Sequence, residues 1–207
     1  GEPPDPPGGP RAGIWARTDD PRGVWKAPAN EVIRGALDVE TDITKAEQGL
    51  LNPIGINCIR PFGTRGIRVW GARTLSSNTD WTYVNVRRLF NMIETTIMNG
   101  TQYAVFEPND QKLWEGLKRT VGAFLRGLWR DGALFGATAE QAFYVKCDSE
   151  TTPPESIDLG RVVVEDQHRV AMADLVGGVA LGEEAAACLL VARVLHVGEP
   201  AQQAPLV

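Results

Sequence analysis

The stretch Gly66–Ile97, GIRVWGARTLSSNTDWTYVNVRRLFNMIETTI, constrains the fold most. Ile67-Arg68-Val69-Trp70 is a short apolar run broken by one charge and punctuated by Gly71, the pattern of a strand. Ser76-Ser77-Asn78-Thr79-Asp80 is a polar turn cluster. Val86, Leu89, Phe90, Ile93 and Ile97 then recur at helical spacing, with Arg87, Arg88, Asn91 and Glu94 largely on the other face. A strand, an exposed turn and an amphipathic helix follow one another, and the helix must bury its stripe against something. These residues build a rigid α/β block with an Arg-rich exterior. They are not arranged for chemistry.

Composition narrows the function classes. Apolar residues make up 43% and charged residues 23%, ordinary values for a soluble globular protein. A net charge of −5 argues against a nucleic-acid-binding domain, which carries a basic excess. No apolar run approaches the ~18–20 residues of a membrane span, and the N-terminus lacks the apolar core of a signal peptide. Cys58, Cys147 and Cys188 are an odd, widely spaced set with no metal-ligand pattern. They suggest reduced thiols in a cytoplasmic product. His168 and His196 are the two histidines, too few to support histidine-based catalysis.

Along the chain, residues 1–12 are rich in Pro and Gly and read as a linker or a cut edge. Residues 13–31 read as an irregular segment pinned by Trp15 and Trp25, with a turn at Asp20-Pro21-Arg22-Gly23. A short strand is expected within 32–37. Thr44 with Glu47 three residues on is a capping-box spacing, for a helix ending near Leu51 before Asn52-Pro53. Ile54–Arg60 is a second strand, joined to Ile67–Trp70 as a hairpin by a short glycine-containing turn. That turn lacks the Gly-Lys-Ser/Thr ending of a phosphate-binding loop.

The helix near 83–99 is expected to stop at Gly100, and Tyr103–Phe106 reads as a buried strand. Asn109 is expected to cap a helix near 110–130, with Asp110 in its first turn and Leu113, Trp114, Leu117, Val121, Phe124, Leu125 and Leu128 on its apolar face. Thr138-Ala139-Glu140-Gln141 is another capping-box pattern, and 143–147 a strand. Ser156–Gly160 reads as a turn. Arg161-Val162-Val163-Val164-Glu165 is the strongest strand signal in the chain. Beyond Glu165 the composition shifts toward Ala, Val, Leu and Gly, and Glu183–Val194 is expected as a helix.

The expected fold is α/β. One mixed sheet, built from strands near 54–60, 67–70, 103–106, 143–147 and 161–165, is packed by the two long helices. An irregular segment precedes it and an unmatched tail follows.

The motifs VWGARTL, YVNVRRLF, FEPND, LWRDGALFG and GRVVVE occur here in that order. Together with the pieces around them, from about Ala12 to Glu165, they resemble the C-terminal half of a contractile tail sheath protein, from phage tails and contractile injection systems. On that resemblance, 13–165 is a sheath-like C-terminal domain, 1–12 a linker or truncated edge, and 166–207 a divergent tail. Family members carry further residues before the equivalent of Ala12, including an N-terminal arm. Their GRVVVE strand leads into a short turn and a proline-containing arm, which residues 166–207 do not match.

The resemblance implies a structural part with no catalytic residue, no metal and no cofactor. It implies subunits stacked as rings around a rigid tube, linked by arms that add strands to neighbouring sheets. The implied partners are other sheath subunits, the inner tube protein, and baseplate and terminator proteins, without nucleic acid or membrane insertion. The implied setting is a virion tail or injection-system particle assembled in the bacterial cytoplasm. A tail-completion or baseplate adaptor using the same fold is the alternative. On the same grounds the subunit interface is expected at Arg161, Val162, Val163, Val164 and Glu165.

Arg60, Arg65, Arg68, Arg73, Arg87 and Arg88 form a basic cluster. It reads either as a solvated exterior or as ionic contact with a neighbouring subunit, and nucleic acid is the weakest reading. Glu107, Asp110 and Glu115 are close in sequence, but helix capping explains Asp110 better than catalysis. Trp70, Trp81, Trp114 and Trp129 read as core or interface anchors, and Cys58 and Cys147 as buried packing residues.

Overall fold

The computed structural model describes residues 6–171 and 188–197, with side chains to residue 168. The described residues fall into two compact units, one reaching to Met92 and one starting at Ile93. The α/β class holds. The single mixed sheet does not: among the described residues there are two three-stranded sheets, one in each unit, and every strand pair is antiparallel. The reason is local connectivity. A short turn joins Cys58–Pro61 to Ile67–Trp70 in the first sheet, and antiparallel pairing needs no long crossover.

The first unit opens with a helix, α1 (Gly8–Arg22), where an irregular segment was expected. Pro10 falls in the first turn, where no helical N–H partner is needed, and Pro21 in the last. Ile14 and Thr18, one turn apart, are buried, so packing overrides the weak propensity of this sequence. The expected turn at 20–23 is the last turn of α1 and its cap. Gly23 has φ +80, and its N–H bonds Asp19 O. A Cβ there would lie 2.4 Å from the Trp25 ring.

The sheet is ordered β1 (Glu31–Val32), β3 (Ile67–Trp70), β2 (Cys58–Pro61). The β2–β3 hairpin is as expected, with Ile59 opposite Val69 and Arg60 opposite Arg68. The strand expected over Ile54–Arg60 starts only at Cys58, because Asn52–Ile54 forms a 3-10 turn ending on the left-handed Gly55. Between them, α2 (Lys45–Leu51) carries the expected capping box: Thr44 Oγ1 accepts from Glu47 N–H, and Glu47 Oε2 accepts from Thr44 N–H at 2.8 Å.

α3 (Val84–Gly100) buries the expected stripe, and Val86, Leu89, Phe90 and Ile93 are almost fully covered. After it, Tyr103–Phe106 is not a strand. Gln102–Phe106 is a 3-10 helix whose N–H groups find partners locally, as Ala104 N–H does at Thr101 O. Phe106 is 97% exposed.

In the second unit, α4 (Gln111–Arg130) buries Leu113, Leu117, Val121, Leu125 and Leu128 and packs on the second sheet. Its cap is Asp110, whose Oδ1 accepts from Leu113 N–H at 2.9 Å, and not Asn109. Asn109 instead donates to Arg161 O and accepts from Trp114 Nε1. The helix ends at Gly132, φ +84, with Gly132 N–H on Trp129 O and Ala133 N–H on Leu128 O. Next come α5 (Ala139–Ala142), which lacks a Thr138 side-chain cap, and β4 (Phe143–Lys146). Residues Pro154–Asp158 form a short helix, α6, where a turn was expected, with proline in its first turn.

β5 (Val162–Ala171) runs past the expected end at 165. It is the central strand between β4 and β6 (Cys188–Val197). The helix expected over Glu183–Val194 is therefore a strand from residue 188; residues 183–187 lie outside the described part. The sequence CLLVARVLHV is rich in β-branched and aliphatic residues, and β5 offers it a pairing edge.

Candidate assembly surfaces

The basic cluster divides into residues tied into the first unit and residues left at its surface. Arg88 is the most committed. Its Nη1 and Nη2 donate to the two carboxylate oxygens of Asp19 at 2.9 and 2.5 Å, and its guanidinium lies 4.8 Å from the Trp15 ring centroid. It clamps α1 to α3. Arg60 donates to Ile43 O and to Gln48 Oε1, holding the start of α2 against β2. Arg68 donates to Asn30 O and to Arg65 O. At Arg73 the backbone is paired by one side chain: Asn57 accepts from its N–H at 2.8 Å and donates to its C=O at 2.7 Å. The Arg73 guanidinium lies over Tyr83. Arg65 and Arg87 are exposed and rest on Phe62 and Trp81 respectively.

The sequence placed these arginines on an exterior. It did not show that Asp19 and Trp15, far away along the chain, receive one of them. An Arg–carboxylate fork reads only as two isolated charges until the fold brings them together.

Val162, Val163 and Val164 are buried, and β5 is paired on both sides. Among the described residues, the edge strands of this sheet are β4 and β6. The buried face of β5 also carries Asp166 and His168, each 1% exposed, with Oδ2 and Nδ1 3.1 Å apart. Alongside β4 and α4 runs an open groove of about 270 Å3, lined by Lys118, Gly122, Arg126, Glu140 and Phe143–Val145.

The carboxylates do not converge. Asp110 is occupied as a cap, and Glu115 accepts from Gln111. Among the described residues there is no group of three or more His, Cys, Asp or Glu placed to hold a metal. No helix there is long and apolar enough to cross a membrane. The four tryptophans act as anchors: Trp70 packs on Phe62, Trp81 edge-on to Phe90, Trp114 on Asn109 Oδ1 and Trp129 on Gly136 O. Cys147 is buried, and burial pushes its thiol up to about 11.

Comparison with known proteins decides the family. Residues 3–75 match the phage tail sheath protein central domain, and residues 76–171 the phage tail sheath C-terminal domain. The chain belongs to the contractile tail sheath family. The tail sheath protein of Vibrio phage KVP40 is 30% identical over 156 residues, covering 73% of this chain and 22% of that protein. That of Burkholderia phage BcepMu is 29% identical, covering 77% of this chain and 34% of that protein.

Among solved structures, the helical sheath of the anti-feeding prophage in its contracted state is 38% identical with a TM-score of 0.79. It covers 86% of this chain and 50% of that one. The contracted sheath complex of an extracellular contractile injection system is 40% identical with a TM-score of 0.75, covering 78% of this chain and 46% of that one. The chain spans about half the length of these structural relatives, and less of the phage proteins. It matches the central domain as well as the C-terminal one.

Proposed function

We propose that the protein is a structural subunit of a contractile tail sheath, which polymerises around a rigid tube and contracts to drive it through a cell envelope. The likeness to sheath chains in contracted assemblies, at 38–40% identity, carries this reading. It has no catalytic role. Its partners are other sheath subunits, the inner tube protein, and baseplate and terminator proteins, in a particle assembled in the bacterial cytoplasm.

The second sheet is the strand-accepting element. An edge with unpaired N–H and C=O groups is a template for another strand, and among the described residues β4 has a partner strand on one side only. The expected interface strand Arg161–Glu165 then acts through the sheet it centres. Exposed Arg65 and Arg87 contribute ionic contacts worth ~0–1 kcal/mol each, weak enough to exchange during contraction.

Residues 166–207 do not carry the family's arm sequence, so the chain alone forms monomers or small oligomers. A longer chain, bearing a family-type arm after Glu165 and the residues that relatives carry before this segment, builds tubes on a tube-protein core. Negative-stain microscopy tests both statements. Long hollow tubes from this chain alone refute the requirement for arms. A longer chain that only decorates tube ends supports the alternative of a baseplate adaptor, a reading favoured by the likeness, at 40% identity, to a chain in an anti-feeding prophage baseplate.

A further inference from the structure

Phe106 stands on a rigid base with its ring uncovered. The turn beneath it is closed by Ala104 N–H on Thr101 O and by Glu107 N–H on Ala104 O. Just beyond, the Asn109 side chain is tied to Arg161 O and to the Trp114 indole. Yet Phe106 is 97% exposed, beside Val105 at 40% and Tyr103 at 51%. Single exposed apolar residues are ordinary, but this group on one fixed turn is a patch, the mark of a docking surface. An aromatic ring is cheap to immobilise and suits an anchor. Glu107, next to the ring, is exposed and has no ion pair among the described residues.

The first unit holds a recess of complementary character. It is half-open and measures about 70 Å3. Ala27, Ala29 and Ala72 line it with methyl groups, and Trp70 and Tyr83 with aromatic rings. Its walls are fixed before anything enters. Gln48 Nε2 donates to Trp70 O at 2.6 Å. Asn57 pairs both backbone groups of Arg73, whose guanidinium lies over Tyr83. Asn30, also in the lining, has a left-handed φ of +60, and Arg68 Nη1 donates to both its oxygens. Such a φ at a residue other than glycine persists only where the surroundings over-determine it. A closed cavity that takes benzene measures about 150 Å3. A ring therefore enters this smaller, open recess by its edge and leaves a face on the rim.

Charge agrees with shape. The acceptors of Arg68 are Asn30 O, Asn30 Oδ1 and Arg65 O, all uncharged, so they leave its charge unmatched. Arg73 brings a second guanidinium to the lining. A ring followed by a carboxylate thus meets an aromatic recess edged by guanidiniums, which attract ring faces and acids alike.

We infer that Phe106 of one copy inserts into this recess on a second copy, with Glu107 against Arg68. The contact is heterologous, so it propagates from copy to copy instead of closing a pair. An aromatic side chain buries only ~150–250 Å2, far less than the ~1,200 Å2 of a stable interface. One such contact is weak, in keeping with monomers or small oligomers of the isolated chain, and it holds where many act together. The choice of a second copy as the partner rests on the sheath reading.

The test uses the full chain at high concentration and low salt. A Gln102→Cys, Cys188→Ser chain carrying a nitroxide is mixed with isotope-labelled parent, and the NMR spectrum of the labelled copy is recorded. Broadening of the Ala27, Ala29 and Ala72 amides and of the Trp70 indole is the expected result. Phe106→Ala on the nitroxide chain should remove it. Ala29→Leu on the labelled chain fills the recess and should remove it too, with the spectrum itself reporting that the variant is folded. Glu107→Lys on the nitroxide chain and added salt should each weaken it. N-acetylphenylalaninamide should shift the same signals and bind at least about tenfold more weakly to the Ala29→Leu variant. No broadening at the recess, or broadening that survives Phe106→Ala, overturns the inference. The sheath reading stands or falls separately. Longer chains that assemble equally well with Phe106→Ala overturn this docking alone, and longer chains that never assemble while the nitroxide still marks the recess overturn the sheath reading alone.

Discussion

Removing the Arg88 guanidinium should release α1 from α3, and the size of the effect can be worked from the clamp. The pair is bidentate, at 2.9 and 2.5 Å, and the two side chains retain only 21% and 24% of their exposure. Unit charges ~4 Å apart attract by roughly 4 kcal/mol at an effective dielectric near 20. Desolvation takes back a large share. Hydrogen bonds to charged groups net about 1.5–3 kcal/mol, and the remaining exposure argues for the lower half of that range. A coupling near 2 kcal/mol is therefore expected from the double-mutant cycle of Arg88→Ala and Asp19→Ala. Arg88→Ala alone also loses its stacking on Trp15, worth about 0.5–1 kcal/mol. Its total cost is then about 2–3 kcal/mol, or a fall of at least ~8 °C in the melting of a unit this size. Urea titration followed by tryptophan fluorescence reads both quantities. A coupling under about 0.3 kcal/mol would show that the fork is an ordinary surface pair and that α1 is held without it.

Three further outcomes follow from the same structure. Gly127→Ala on α4 meets open space and should stabilise by about 0.5–1 kcal/mol, while Gly136→Ala, whose Cβ would lie 2.7 Å from Ala142 N, should cost about 1–3 kcal/mol; thermal melts that place both on the same side of the parent contradict the packing. Glu47 is held below the usual carboxylate range, first by the Thr44 N–H and then by the Thr44 hydroxyl. The depressed value makes its capping contribution present above the usual glutamate range and lost as pH falls through the lower folded value, so an NMR titration of the Glu47 carboxyl with a midpoint at or above ~4.3 would sink this assignment. In a Cys188→Ser background, Cys58 and Cys147 should resist iodoacetamide at pH 8 until the chain unfolds, because burial raises both thiols, Cys147 to about 11; alkylation at the rate of a free thiol would refute their burial.

Elements with strong one-dimensional signals were legible. The α4 stripe, the Thr44–Glu47 box and the Ile67–Trp70 strand each rest on spacing that a neighbour in sequence can satisfy. The misread elements were those whose outcome depends on partners far along the chain. Tyr103–Phe106 is apolar enough for a strand, but among the described residues no strand pairs with it, and it closes into local 3-10 bonds. Gly8–Arg22 has poor helix formers and two prolines after Gly9, yet burial of Ile14 and Thr18 and the Asp19–Arg88 fork hold it helical.

The sequence by itself determined the class and the family. Period-3.6 stripes and short apolar runs require helices on sheets, and the ordered motifs from VWGARTL to GRVVVE mark a sheath protein. Only the tertiary structure decided that the strands divide into two separate antiparallel sheets, with β5 central in its own. Strand pairing is a long-range choice, made by which edges are open and which apolar faces need cover, and nothing within a single strand records it. The arginines show the same division. Their number and exterior placement are written in the chain, but whether each is a staple or a surface charge depends on groups such as Asp19, Trp15 and Gln48 that only the fold brings within reach.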